Sequence, residues 1–372
     1  MSELIENTPI VFAVGNDYKI FVPVNDCSLM WVKVGDECFY DDSNGVLRSA
    51  VSVHKMSVPM EILDRERKYT ICYRRVVERK PYFSNVTNVE EISFDFYPLP
   101  EDNYNVYHIS DTHGMVDQPV AAAKNFEKEY GKIDLLILNG DIIDHSGDLN
   151  NFNTIYEISS LITSGNIPVV FSRGNHDTRG IYAEAIANYT PTRDGCSYFS
   201  FRLGTLWGLV VDCGEDKDDS HEEYGNTMCC HDFRKRETRY LEHLVENAKN
   251  EYMAEGIKRK LIVVHSPFTK IFKPPFDIEQ DTYRYWTQIM REYIKPELII
   301  CGHTHKRRIS LPGDEFDSHG QPCPVIVAAE PNKGSLHFTG GGFIFGQNNT
   351  KFVYTSDIQI ESEHILPKGE QK

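Results

Sequence analysis

Five apolar runs in this chain end in side chains of the kind that hold metal ions. Residues 105–110 lead into Asp111, Thr112, His113 and Gly114, and residues 135–139 lead into Gly140, Asp141, Ile142, Ile143 and Asp144. Residues 167–171 precede Arg173, Gly174, Asn175, His176 and Asp177. Residues 261–264 precede His265, and residues 298–301 precede Gly302, His303, Thr304 and His305. Any one of these strings could be a polar turn. If the runs are parallel strands of a sheet, their ends share one edge, where open α/β sheets keep their chemistry. The edge then carries carboxylates, imidazoles and one amide oxygen, with no cysteine in a ligand position. That donor set suits Mn²⁺, Fe or Zn²⁺ rather than a soft metal. It is too large for one ion. Two divalent ions sharing a carboxylate, about 3.5–4 Å apart as in two-metal sites, are the economical solution.

The elements that must position these residues follow from periodicity. Residues 1–100 read as all-β, with short runs at 10–14, 18–24, 29–34, 38–40, 69–76 and 92–97 separated by Gly, Asn and Asp. Their spacing predicts a small β-sandwich. This stretch shows no chemical constellation and reads as a packing or docking module. Pro98 and Pro100 mark a linker, because proline blocks both helix and sheet pairing. Beyond it, strands alternate with helices predicted over 118–130, 150–163, 233–255 and 282–293. β-rich segments follow at 324–329, 335–345 and 351–355, and then a polar tail, 361–372, that is expected to fray. The expected division is an accessory domain over 1–100 and a catalytic α/β domain with mixed sheets over 104–372.

The ordered set DxH, GDxxD, GNHD, VVH and GHxH, running from Asp111 to His305, resembles the calcineurin-like metallophosphoesterase superfamily. The resemblance implies a four-layer α-β-β-α core. It implies that Asp111, His113 and His305 hold a first metal, that Asp141 bridges both ions, and that Asn175, His265 and His303 complete the second. His176 matches the family's catalytic histidine and Asp144 its orienting carboxylate. Two cations facing one bridging water lower its pKa enough to give hydroxide near neutral pH, which attacks phosphorus in line. The leaving alkoxide then needs a proton, and His176 is placed to act as general acid. Arg173 offers either a clamp on a phosphate oxygen or a structural salt bridge. A β-rich first domain before such a core is similar to the layout of purple acid phosphatases, whose first domain is fibronectin-like. Those enzymes carry tyrosine where this chain has Asp144, and a glycine-type position where it has His113. Their tyrosinate–iron colour is therefore not expected here.

Composition narrows the substrate. The 372 residues carry a net charge of −16 and a pI near 5.3. That balance disfavours a long nucleic acid, which is bound through clustered Lys and Arg. A small phosphorylated substrate held by metal fits it. The first residues lack a basic segment followed by an apolar one, and no apolar run is long enough to span a bilayer. Nine scattered cysteines, an odd number, fit reduced thiols. Cys229 and Cys230, beside His231, read as incidental loop thiols. A cytoplasmic location without membrane attachment is expected. The expected activity is hydrolysis of phosphomonoesters, with a phosphodiesterase as the alternative on the same centre. A degenerate scaffold is disfavoured because the ligand set is complete. His108 reads as a core residue, His145 as cleft lining, Lys306, Arg307 and Arg308 as a solvated strand edge, and the long acidic connection 212–231 as a lid or specificity element.

Overall fold

The computed structural model describes residues 3–332, 334, 336–347 and 349–367. Two sheets face each other, with helices on both outer faces. The larger has ten strands. Along its main path these run Ile360–Leu366, Thr350–Ser356, His337–Phe345, Tyr104–Ile109, Leu135–Asn139, Pro168–Ser172, Ile10–Val14, Asp17–Pro23 and Val53–Pro59. The second has six, in the order Phe199–Leu203, Leu206–Val211, Arg259–Val264, Leu298–Cys301, Val325–Val327 and Arg308–Ser310. Pairing in both mixes parallel and antiparallel neighbours.

Strand alternation builds the layers. In the second sheet Leu206, Val210, Leu261, Val263, Leu298 and Ile300 face the core shared with the first sheet. Trp207, Leu209, Val211, Ile262, Val264 and Ile299 point the other way, into a second core with Leu241, Leu244 and Trp286. Those last three lie on helices Cys230–Glu246 and Gln280–Ile289. Helices Asp117–Tyr130 and Asn153–Thr163 cover the larger sheet with Val120, Phe126, Ile155 and Ile158. The result is the expected α-β-β-α stack.

Residues 1–100 are β-rich, and their strands divide between the catalytic sheet and a sheet of their own. Ile10–Val14 pairs in parallel with Pro168–Ser172 and so continues the catalytic sheet, followed by Asp17–Pro23 and Val53–Pro59. A separate sheet, ordered Glu90–Asp95, Lys68–Glu78, Ser28–Val34 and Glu37–Tyr40, contributes Met30, Val32, Tyr69 and Ile71 to the same core. The ten-stranded sheet thus draws strands from both sides of the linker, whereas the separate sheet lies wholly before it. Two other expectations shift. The predicted helix 233–255 begins earlier and ends at Glu246, where Asn247 turns its amide back onto the His243 carbonyl. The polar tail forms strand Ile360–Leu366 on the sheet edge, while residues 368–372 and Ser335 lie outside the described residues.

The five motif-bearing strands are Tyr104–Ile109, Leu135–Asn139 and Pro168–Ser172 in one sheet, and Arg259–Val264 and Leu298–Cys301 in the other. Neighbours within each set run parallel, so all their carboxyl ends meet along one edge of the sandwich. Asn139 ties the sheets together there. Its amide nitrogen lies 3.1 Å from each of His108 Nε2, the Val264 carbonyl and the Ile300 carbonyl.

Candidate metal centre

The residues singled out from sequence converge at this edge. Asp111, His113 and His305 bring ligand atoms within 4.8 Å of one another, as do Asp111, Asp141 and His265, and also His113, Asp141 and His176. His305 Nε2 is 3.3 Å from Asp111 Oδ1 and 3.2 Å from His113 Nε2. His265 Nε2 is 3.2 Å from Asp141 Oδ2, and His303 Nδ1 is 3.1 Å from Asn175 Oδ1. Asp111, His113, Asp141, Asn175 and His265 are buried.

The backbone is bent to achieve this. Asp111, His113, Asp141, His303 and His305 all have positive φ, between 46° and 68°. Non-glycine residues avoid that region, and strained conformations of this kind cluster where function requires a particular side-chain direction. Glycines let the turns close. A Cβ on Gly174 would sit 2.2 Å from Asp141 Oδ1, and one on Gly302 would sit 2.5 Å from Asp111 Oδ2. The motif glycines are thus required by the carboxylates they touch. Backbone donors fix those carboxylates: the His303 N–H donates to Asp111 at 3.0 Å and the His176 N–H to Asp141 at 2.8 Å.

The electrostatics of the cluster favour a cation. Burial pushes the Asp111 and Asp141 carboxyls up, but neighbouring histidines, His265 first, more than reverse this and hold both below the usual carboxylate range. Burial would lower His265, yet the Asp141 and Asp111 carboxylates raise it to about 10. In this protein alone, a proton on a buried imidazole does what a cation would do. The Asn175 amide lies beside Asp141, His303 and Arg179. The donor set therefore fits divalent metal ions, with hard oxygens and imidazoles and no thiolate.

Asp144 and His176 sit differently from expectation, and Arg173 takes the structural salt bridge. Asp144 reaches His176 through its backbone carbonyl, 2.9 Å from Nδ1. Its carboxylate instead lies 3.5 Å from His113 Nδ1. Arg173 does not face the cluster. Its Nε pairs with Asp212 at 2.7 Å, and its guanidinium stacks 5.1 Å from the Phe233 ring centre. The guanidinium at the site is that of Arg179, with NH1 3.4 Å from His176 Nε2. His176 itself stands close enough to Asp141 and His113 to be a ligand as well as an acid.

Sequence reading missed Arg179, the role of Asp177, and the part played by Glu215 and Asp216. Asp177 Oδ2 accepts from Gly174 N at 2.6 Å and Asp141 N at 3.2 Å, locking two motif turns together. Burial, aided by Asp141, raises its carboxyl to about 7. His108 is buried and neutral, lowered by burial to about 3, and His145 is exposed, outside the cluster. A further constellation lies in residues 1–100. Ser28 Oγ is 3.0 Å from His54 Nε2, and His54 Nδ1 is 2.6 Å from Asp41 Oδ2. The order matches a nucleophile triad, but all three are buried, at 0–2% exposure, which closes them to substrate. Ser28 and His54 lie on strands of different sheets, so the chain of hydrogen bonds works as a clamp between them.

Comparison with known proteins agrees with this geometry. No curated protein matches the sequence. Among solved structures, the purple acid phosphatase PPD1 from yellow lupin (Lupinus luteus) is similar with a TM-score of 0.59 at 10% identity, over 99% of this chain and 76% of that one. This is a likeness of fold. GAP50, titled the anchor in the inner membrane complex of Plasmodium, scores 0.47 at 12% identity, over 73% and 90% of the two chains. Vps29 from Chaetomium thermophilum scores 0.32 at 8%, over 71% and 99%. Both lie too far away to carry an argument. The sequence model for calcineurin-like phosphoesterases matches residues 104–307, more than half of the chain and the whole span of the five motifs. The chain belongs to the calcineurin-like phosphoesterase family.

Proposed function

We propose that this protein is a dimetal-dependent phosphoric ester hydrolase acting on small phosphomonoesters. The observation that carries the reading is the convergence of five strand ends on one cluster, in which Asp111, His113, Asp141, His303 and His305 are held in left-handed backbone conformations. Asp111, His113 and His305 would hold one ion, Asn175, His265 and His303 the other, with Asp141 between them. Two such ions, when bound, neutralise phosphate charge and make water nucleophilic near neutral pH. The chain's own residues do the rest. Asp111 and Asp141 are fixed by backbone N–H groups, so they are aligned before substrate arrives. The Asp144 carbonyl accepts from His176 Nδ1, which fixes the ring and leaves Nε2, 3.4 Å from Arg179 NH1, to deliver a proton to the leaving oxygen.

The carboxylates of Glu215, Asp216 and Glu223 beside the cleft, with the net charge of −16, support a small substrate over a polymer. All nine cysteines are free thiols, which supports a reducing compartment such as the cytoplasm. No helix among the described residues is long and apolar enough to cross a membrane. The test is elemental analysis of the purified protein, paired with hydrolysis of p-nitrophenyl phosphate and bis-p-nitrophenyl phosphate with and without Mn²⁺. Two ions per chain and preferred turnover of the monoester are expected. Preference for the diester would replace the substrate class. No metal and no turnover with Mn²⁺ supplied would overturn the enzyme reading.

A further inference from the structure

His265 and His113 each use one ring nitrogen inward and the other outward. His265 directs Nε2 at Asp141 and Nδ1 at the Asn139 carbonyl, 2.7 Å away. His113 directs Nε2 at His305 and Nδ1 toward the Asp144 carboxylate. His176 has its Nδ1 on the Asp144 carbonyl. These outward partners lie at the end of a motif strand or in the turn that follows one. His303 is different. Its Nδ1 faces Asn175, and its Nε2 lies 3.9 Å from Asp216 Oδ2, a carboxylate on the acidic connection 212–229.

Asp216 is presented to His303 by its neighbours. Its Oδ1 accepts from Tyr224 OH at 3.0 Å and from Lys217 Nζ at 3.3 Å, and Arg179 NH2 lies 3.6 Å away. Those contacts occupy one carboxylate oxygen and leave the other directed at the imidazole. Arg179 bolts the connection to the turn that carries His176. Its fork grips both oxygens of Glu215 at 3.0 Å, and NH1 reaches Glu223 at 3.2 Å. Thr178 Oγ1 donates to the same Glu215 at 2.7 Å. Bidentate guanidinium–carboxylate pairs fix orientation as well as distance.

We propose that Asp216 is the positioning residue for His303, set there by Arg179, so that the acidic connection is built into the second ion's site. At 3.9 Å it acts by charge, making the ring a better donor and holding its direction, as outer carboxylates do for metal-bound histidines. The proposal rests on the metal-centre reading above.

The test is titration of metal-stripped protein with Mn²⁺ by calorimetry, comparing the parent with Asp216→Asn and Asp216→Glu. Asn keeps an acceptor for Tyr224 and removes the charge. The expected result is an unchanged first ion and a second ion weakened about 10–100-fold, the usual cost of losing such a partner. Asp216→Glu should recover part of the loss, and the melting temperature of the stripped protein should not move. Parent-like binding of both ions by Asp216→Asn would reduce Asp216 to a tether of the loop and overturn the proposal. Equal weakening of both ions, or a lowered melting temperature without metal, would also overturn it. A parent that binds no Mn²⁺ would instead overturn the metal-centre reading, and the proposal with it.

Discussion

Replacing His176 by Asn separates the two roles its position permits. The ring is half-buried, with Nδ1 2.9 Å from the Asp144 carbonyl and Nε2 3.4 Å from Arg179 NH1. An Asn side-chain N–H can make the bond to that carbonyl, so the structural cost is at most that of one hydrogen bond, about 0.5–1.5 kcal/mol. What Asn cannot supply is a proton at the position of Nε2. Loss of a general acid costs roughly two to four orders of magnitude, or about 2.7–5.4 kcal/mol of transition-state stabilisation. The loss must depend on the leaving group. A p-nitrophenolate departs without a proton, whereas an alkoxide does not. The assay is therefore kcat/KM of parent and variant on p-nitrophenyl phosphate and on glycerol phosphate, alongside metal content. The variant should fall steeply on the alkyl ester, far less on the aryl ester, and keep its metal. His176 lies within ligand distance of Asp141 and His113, so the opposite result is physically open. An equal loss on both esters together with loss of an ion would make His176 a ligand and refute its role as acid.

Two further predictions concern the buried charges behind the site. Arg173→Met should leave the turnover of folded protein unchanged and lower stability by about 3–5 kcal/mol, because Asp212 would remain buried without its partner; chemical denaturation with kinetics on the same samples checks this, and a drop in turnover at full stability would restore Arg173 to the phosphate. Glu237 is buried, and burial, then the Asp212 carboxylate, raises its carboxyl well above the usual range. A folded-state pKa above the unfolded value means that ionisation costs stability as pH rises past the unfolded value of about 4.5. Glu237→Gln should thus melt like the parent in acid and progressively higher than the parent as pH rises toward alkaline; the reverse trend would show Glu237 ionised against Arg173 and Arg234.

What the sequence disclosed and what it hid divide by range. The ligand residues were legible because each ends a strand, and parallel strands must bring such ends to one edge whatever the loops do. The neighbouring guanidinium was not. Arg173 stands three residues before His176 and Arg179 three after it, so spacing alone gives no preference. The turn decides. His176–Thr178 is a 3-10 helix, and the Arg179 N–H donates to the His176 carbonyl. Three residues per turn set positions i and i+3 on one face, which places Arg179 beside His176. Arg173 falls outside that turn and leaves toward Asp212. The turn after Asp141 likewise presents the Asp144 carbonyl to His176 Nδ1, a contact that spacing alone does not give. The N-terminal strands carried a usable signal. Residues 10–14, Ile-Val-Phe-Ala-Val, are apolar without alternation and buried throughout. A half-exposed sandwich strand alternates, whereas an unbroken apolar run marks a parallel strand covered on both faces. Read that way, Ile10–Val14 belonged to the catalytic sheet from the start. Asp216 had no such local sign, because its meaning depends on His303, a residue brought beside it only when the whole sandwich closes.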